Sequence, residues 1–207
     1  PAAPMMYADG ALLFYGRGSV EWLADGTSSH FMRNRNESSD YGYYFITEAS
    51  DTPLACSEAD LLQQATSSAD AHHYLYENDK YAWAETGRNL FDGTEIRAGQ
   101  PMTVNVLIPA GNTTANIQVV VSAGTTTPYT INHGNGASVN GTVEVGKDEY
   151  NKANVNAKYF TATDLASYPK DDNGATVYPV TISTANSSAV LRLDYVSANF
   201  ATPATPV

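Results

Sequence analysis

Apolar and polar residues alternate in short runs along the whole chain, the two-residue period of strands with one face buried. MTVNVLI, from Met102, places Val104, Val106 and Ile108 on one face before PAGN breaks the run. ANIQVVVSAG groups Ile117, Val119 and Val121 in the same way. ASVNGTVEV, NVNAKYFTAT, ATVYPVTIS and AVLRLDYVSANF follow. The last of these alternates imperfectly, with Val190, Leu191, Leu193, Tyr195 and Val196 set against Arg192 and Asp194. Gly, Pro and Asn clusters separate the runs, which predicts antiparallel strands joined by turns and not βαβ units. The fold class expected is all-β, an antiparallel β-sandwich of jelly-roll or Ig-like type.

The first 95 residues read differently. Their strand-like pieces are ALLFY, SVEWL, HFMR, YGYYFIT, HHYLY and KYAWA, and they hold 14 of the 22 aromatic residues. One short helix is predicted near residues 57–66, where Ser57 can cap the N-terminus with Asp60 three residues on. DGTEIRAGQP, residues 92–101, is the best internal boundary. It divides an acidic, aromatic-rich β region, 1–95, from a β-sandwich region, 96–207, the alternative being one continuous domain over 1–207. PAAP (1–4) and ATPATPV (201–207) read as extended arms. The chain begins at Pro1, which implies either a trimmed initiator Met or a removed leader; no signal-peptide pattern is present.

Charge changes the picture of partners. Residues 1–95 carry 15 acids and 5 bases, and residues 96–207 carry 7 and 6, so almost all of the net −11 lies in the first part. A phosphate backbone needs a basic footprint, so nucleic acid is excluded as a partner, and an anionic membrane surface is disfavoured for the same reason. No run is long and apolar enough for membrane insertion. Cys56 is the single cysteine, so no intrachain disulfide exists; it reads as a small buried apolar residue.

Candidate chemistry concentrates in AHHYLYENDKYAWAE, residues 71–85. On a strand, His72 and His73 point to opposite faces and do not chelate one ion together, and H-E-x-x-H is absent. Tyr74, Tyr76, Tyr81 and Trp83 are expected to form an aromatic strip across a hairpin that turns at ENDK. With Trp22 they also make the stacking platform of a carbohydrate-binding module, the competing reading. No nucleophile elbow, phosphate loop or dinucleotide fingerprint appears, so no catalytic residue, metal or cofactor is assigned. Asp171, Asp172 and Asn173 before Gly174 offer oxygens to a hard cation but lack the EF-hand spacing, so a plain turn is expected there. Asn36, Asn112, Asn140 and Asn186 begin N-glycosylation sequons, although this composition gives about three by chance.

Low charge, many tyrosines and extended arms together predict a non-enzymatic structural subunit, one that self-assembles into a virion shell, a decoration layer or an extracellular filament. Its partners would be copies of itself through arms 1–4 and 201–207, and its place the virion surface or the cell exterior. The alternative is a carbohydrate-binding or adhesion β-sandwich whose partners are glycans. A polysaccharide-active enzyme is the third and weakest reading.

Overall fold

A computed structural model describes residues 5–14, 16, 18–24, 31–36, 39, 41–47, 73–84, 89–147, 152 and 154–201. The helix expected near 57–66, Cys56, His72, arm 1–4 and all but Ala201 of the second arm lie outside the described residues. The chain falls into two compact units, Pro1–Ser68 and Ala69–Val207.

In the first unit, β1 (Met5–Ala8) pairs antiparallel with β2 (Ala11–Phe14). Asp9 and Gly10 join them, both at positive φ (51° and 77°), as a two-residue hairpin turn requires. β3 (Val20–Ala24) pairs antiparallel with β4 (Phe31–Arg35). The strand expected over YGYYFIT is not formed: residues 42–47 run outside any ladder. β-branched and aromatic residues make a strand only when an edge is there to pair with.

The second unit is a two-sheet sandwich. β5 (His73–Glu77), β7 (Ala115–Ala123), β10 (Val155–Ala162) and β12 (Leu191–Asn199) form one sheet in the order β10-β7-β12-β5. β6 (Met102–Ile108), β8 (Thr127–His133), β9 (Ala137–Val143) and β11 (Thr176–Ser183) form the other in the order β6-β11-β8-β9. Every pairing is antiparallel. The chain changes sheet at each connection except the β8–β9 hairpin. An Ig sandwich keeps more of its neighbouring strands in one sheet. This order is the eight-strand jelly roll, the first of the two expected architectures.

The core lies between the sheets and follows the alternation. Val106, Ile108, Ile117, Val119, Val121, Ile131, Val180, Ile182, Leu191 and Leu193 are all fully buried. The imperfect pattern of β12 has a structural cause: its register against β7 shifts between Leu193 and Tyr195, a bulge at Asp194 that lets Val196 and Ala198 regain the inner face.

β8 went unrecognised in the sequence because TPYTINH has a proline, Pro128, as its second residue among polar neighbours, which argues against a central strand. The registers explain its place. β11 meets β8 only over Thr130–His133, so Pro128 has a ladder partner on the β9 side alone. Pro179 of β11 likewise pairs with Asn105 of β6 just outside the β8 overlap. Each proline sits where one neighbour is missing and no backbone donor is called for. Among the described residues, no helix is long and apolar enough to cross a membrane.

Candidate functional site

The aromatic stretch is folded, but not as the expected hairpin. β5 pairs with β12, and Tyr81 bridges to Phe91 through reciprocal backbone hydrogen bonds, so residues 74–76 and 81–83 do not face each other. The reason is a better edge: β12 offers β5 five paired positions from Tyr195 to Asn199.

Tyr74 and Tyr76 point inward and pack against the core, leaving Leu75 outside. The Tyr74 hydroxyl donates to the Asn105 carbonyl (3.1 Å), tying β5 to β6 of the opposite sheet. The Tyr76 hydroxyl donates to Asp92 Oδ2 (3.0 Å). Asn78 Nδ2 (3.3 Å) and the Thr94 backbone N–H (2.7 Å) donate to the same carboxylate. Asp92 is fully buried. Burial works to raise its pKa, but the bonds from Thr94, Tyr76 and Asn78 outweigh that and hold it below the ordinary aspartate value. Burial pushes both tyrosine phenols up, with the Asp92 charge adding to the effect at Tyr76.

Arg192 closes the cluster from β12. Its guanidinium donates to the carbonyls of Asp92 (3.1 Å) and Gly93 (2.8 Å) and to Glu95 Oε1 (3.0 Å). It also lies 3.5 Å over the Tyr81 ring. Trp83 meets Tyr81 edge-on at 5.2 Å and donates its indole N–H to Ser122 Oγ (2.9 Å). A Cβ at Gly124 would come to 3.0 Å from the Trp83 ring, so glycine there lets the indole lie on the backbone.

The polar ends of Tyr74, Tyr76 and Trp83 are therefore spent inside the protein, and one face of Tyr81 is taken by a guanidinium. A sugar platform needs open ring faces; this cluster is built as a clamp across β5, β7 and β12. Trp22, the fifth aromatic of the expected platform, lies on β3 opposite Arg33 in the other unit.

Three further features carry chemical groups. Glu77, Asp79 and Asp194 each bring one carboxylate oxygen into a group spanning at most 4.8 Å, a donor set of the hard kind that calcium takes. Asp194 arrives from the β12 bulge, which no reading of the ENDK turn alone could supply. At the far end of β8, His133 stacks on Phe160 (3.9 Å between centroids) and shares a hydrogen bond with the Tyr178 hydroxyl (2.9 Å). Burial lowers the His133 pKa and raises that of Tyr178 to about 12. Third, an open hollow of 510 Å³ lies over Thr130, Asn140, Thr142 and Lys158.

The remaining candidates resolve simply. Asp171 Oδ1 accepts from the backbone N–H groups of Asn173 and Ala175, and Gly174 sits at φ 81°, so DDNG is the turn expected. Of the sequon asparagines, Asn36 and Asn140 are exposed. The side-chain amide of Asn112 is engaged with the Pro109 carbonyl, and Asn186 Oδ1 accepts from the backbone and hydroxyl of Ser188. His73 lies on β5.

No protein-family model and no curated protein matches the chain. Among solved structures it is similar to a family GH115 4-O-methyl-alpha-glucuronidase, BtGH115A, with specificity for decorated arabinogalactans, at 12% identity and a TM-score of 0.39. That match covers 76% of this chain but only 20% of the other, so the chain spans about one fifth of the glucuronidase. It is also similar to a chain of the native virion of Kashmir bee virus at neutral pH, at 8% identity and a TM-score of 0.31, covering 98% of this chain and 97% of that one. At these scores neither likeness extends to function.

Proposed function

We propose that the chain is a structural subunit that assembles with copies of itself into a shell or surface layer, such as that of a virion. Jelly rolls serve viral capsids and lectins alike, so the fold does not choose between them. The observation that favours assembly is the apolar surface of the first unit. Tyr7, Leu12, Leu13 and Phe14 of the β1–β2 hairpin and Tyr41, Tyr43, Phe45 and Ile46 beyond it are all exposed. The Phe14–Tyr44 ring contact at 5.2 Å joins the hairpin to that segment, and exposed apolar groups gathered in this way mark a protein contact. The carbohydrate-binding alternative asks for aromatic platforms facing solvent, and four of its five named aromatics, Tyr74, Tyr76, Tyr81 and Trp83, are engaged in and around the Arg192 clamp.

The test is native mass by light scattering after size exclusion, with negative-stain images of the same ligand-free sample. Regular particles or sheets are expected. A monomer of 22.2 kDa at every concentration would overturn the proposal.

A further inference from the structure

We infer that Asn135 is a site of spontaneous covalent modification, at which the folded chain loses the side-chain amide through a cyclic imide formed with Gly136. The chemistry needs only water, and it holds whether or not the chain assembles.

Asparagine before glycine suits this reaction, because the second residue has no side chain to shield its backbone nitrogen. The chain contains three such pairs, Asn135–Gly136, Asn140–Gly141 and Asn173–Gly174. At the first, the Gly136 nitrogen gives its proton to a solvent base and attacks Asn135 Cγ. The bond from Cγ to the amide nitrogen breaks, and that nitrogen takes a proton from water and leaves as ammonia. Water then opens the five-membered ring at either carbonyl. One opening gives aspartate, the other isoaspartate, in which the backbone runs through the former side chain. The net change is amide plus water to carboxylic acid plus ammonia, with nothing oxidised or reduced. The acid ionises at neutral pH and adds one negative charge.

The fold decides among the three pairs. Asn140 lies in β9 opposite Thr130, whose hydroxyl donates to Asn140 Oδ1 (2.8 Å). Gly141 beside it pairs with Tyr129, so the ladder holds an extended backbone from which the ring does not close. At Asn173 the attacking nitrogen is occupied: the Gly174 N–H donates to the Asp171 carbonyl (3.0 Å). The Asn173 N–H donates to Asp171 Oδ1 (3.0 Å), which fixes the same turn. Asn135 has neither protection. It and Gly136 are exposed at the tip of the β8–β9 hairpin, with Gly134 at φ 56° and Gly136 at φ 87°. A Cβ at Gly134 would come to 2.6 Å from the Tyr178 hydroxyl and 2.8 Å from that of Tyr168, so the base of the loop is pressed onto these tyrosines while its tip stays in solvent. Asn135 Nδ2 reaches Ser167 Oγ at 3.4 Å, beyond the roughly 2.7–3.2 Å of an ordinary bond. Among the described residues the Gly136 N–H donates to no protein group, which leaves it open to base.

The test is peptide mapping by mass spectrometry of the full chain aged in mildly alkaline buffer, beside the same chain aged in urea. Unfolded, the three pairs should react at similar rates. Folded, Asn135 should keep its rate, while Asn140 and Asn173 must wait for local opening and fall behind by roughly tenfold or more. Aspartate and isoaspartate should both appear at position 135, the mark of a ring opened at either carbonyl. Anion exchange should resolve the product as a more acidic species. Asn135→Gln has to close a slower six-membered ring, and should remove that species with the melting temperature unchanged. Equal rates at the three pairs in the folded chain overturn the selection by the fold. An Asn135 that stays intact when folded but converts in urea overturns the site, and aspartate without isoaspartate overturns the cyclic route.

Discussion

Replacing Arg192 with alanine should cost the second unit about 3–5 kcal/mol. Arg192 is 4% exposed and holds one aromatic ring and three acceptors. The stacked contact with Tyr81 at 3.5 Å, shielded from water, contributes about 1–2 kcal/mol. The hydrogen bonds to the carbonyls of Asp92 and Gly93 carry a full charge, and their loss leaves the buried Asp92 carbonyl without that donor, about 1.5–3 kcal/mol together. The Glu95 ion pair adds little, because its carboxylate side is 41% exposed and screened by solvent. Arg192 Nε offsets part of the gain, since it is buried with no acceptor among the described residues. Urea unfolding followed by circular dichroism should show the midpoint falling with its slope unchanged, and thermal melting should drop by roughly 10 °C. Arg192→Lys keeps the charge but not the planar fork, and should fall between the two. Paired with Tyr81→Ala in a double-mutant cycle, R192A should show about 1–2 kcal/mol of coupling. A loss under about 1 kcal/mol for R192A, or no coupling to Tyr81, would refute the clamp.

Gly141→Ala should destabilise by about 1–3 kcal/mol in a melting experiment, because its Cβ would lie 2.6 Å from both Lys158 Cε and the Tyr129 ring, and Tyr129 is held in the core. Trp83→Phe leaves the buried Ser122 hydroxyl without its indole donor and should cost about 1–2 kcal/mol in urea, with Ser122→Ala recovering part of it in the double variant. Asp92 is held below its unfolded value of 3.8, so the stability it contributes is present above that pH and is lost as the pH falls through the lower folded value. Comparing melts at about pH 6 and about pH 3, Asp92→Asn should show a smaller acid loss than wild type. His133 is shifted the other way for its charge type, its folded pKa lying below 6.5. It therefore removes stability as the pH falls below 6.5 toward that value, and His133→Gln should flatten this part of the profile.

How much of this was legible follows from how local each signal is. β6 and β7 could be read directly, since Val104, Val106, Ile108 and Ile117, Val119, Val121 face one core and their alternation needs no partner to be seen. Jelly roll and Ig sandwich remained open, because strand order is set by which edges meet across long stretches of chain. The aromatic stretch was recognised as packing, but its partners were not. Nothing near residue 76 announces Asp92, and nothing near Tyr81 announces that Arg192 will lie over its face. β8 was hidden by Pro128, whose position is tolerable only because β11 ends short of it. YGYYFIT carried every local mark of a strand, yet residues 42–47 lie outside any ladder, because strand propensity does not by itself supply a partner.

The strand order also sets the timing of folding. β5 pairs with β12, roughly 120 residues later, and β7 waits for both β10 and β12. A ribosome making this chain therefore exposes Ile117, Val119, Val120 and Val121 long before either neighbouring strand exists. Until residues 191–199 emerge, four apolar side chains in a β-prone segment are open to any passing edge, including that of a sister chain on the same message. The period of greatest danger for this sandwich is its own synthesis, and β12 is the strand that ends it.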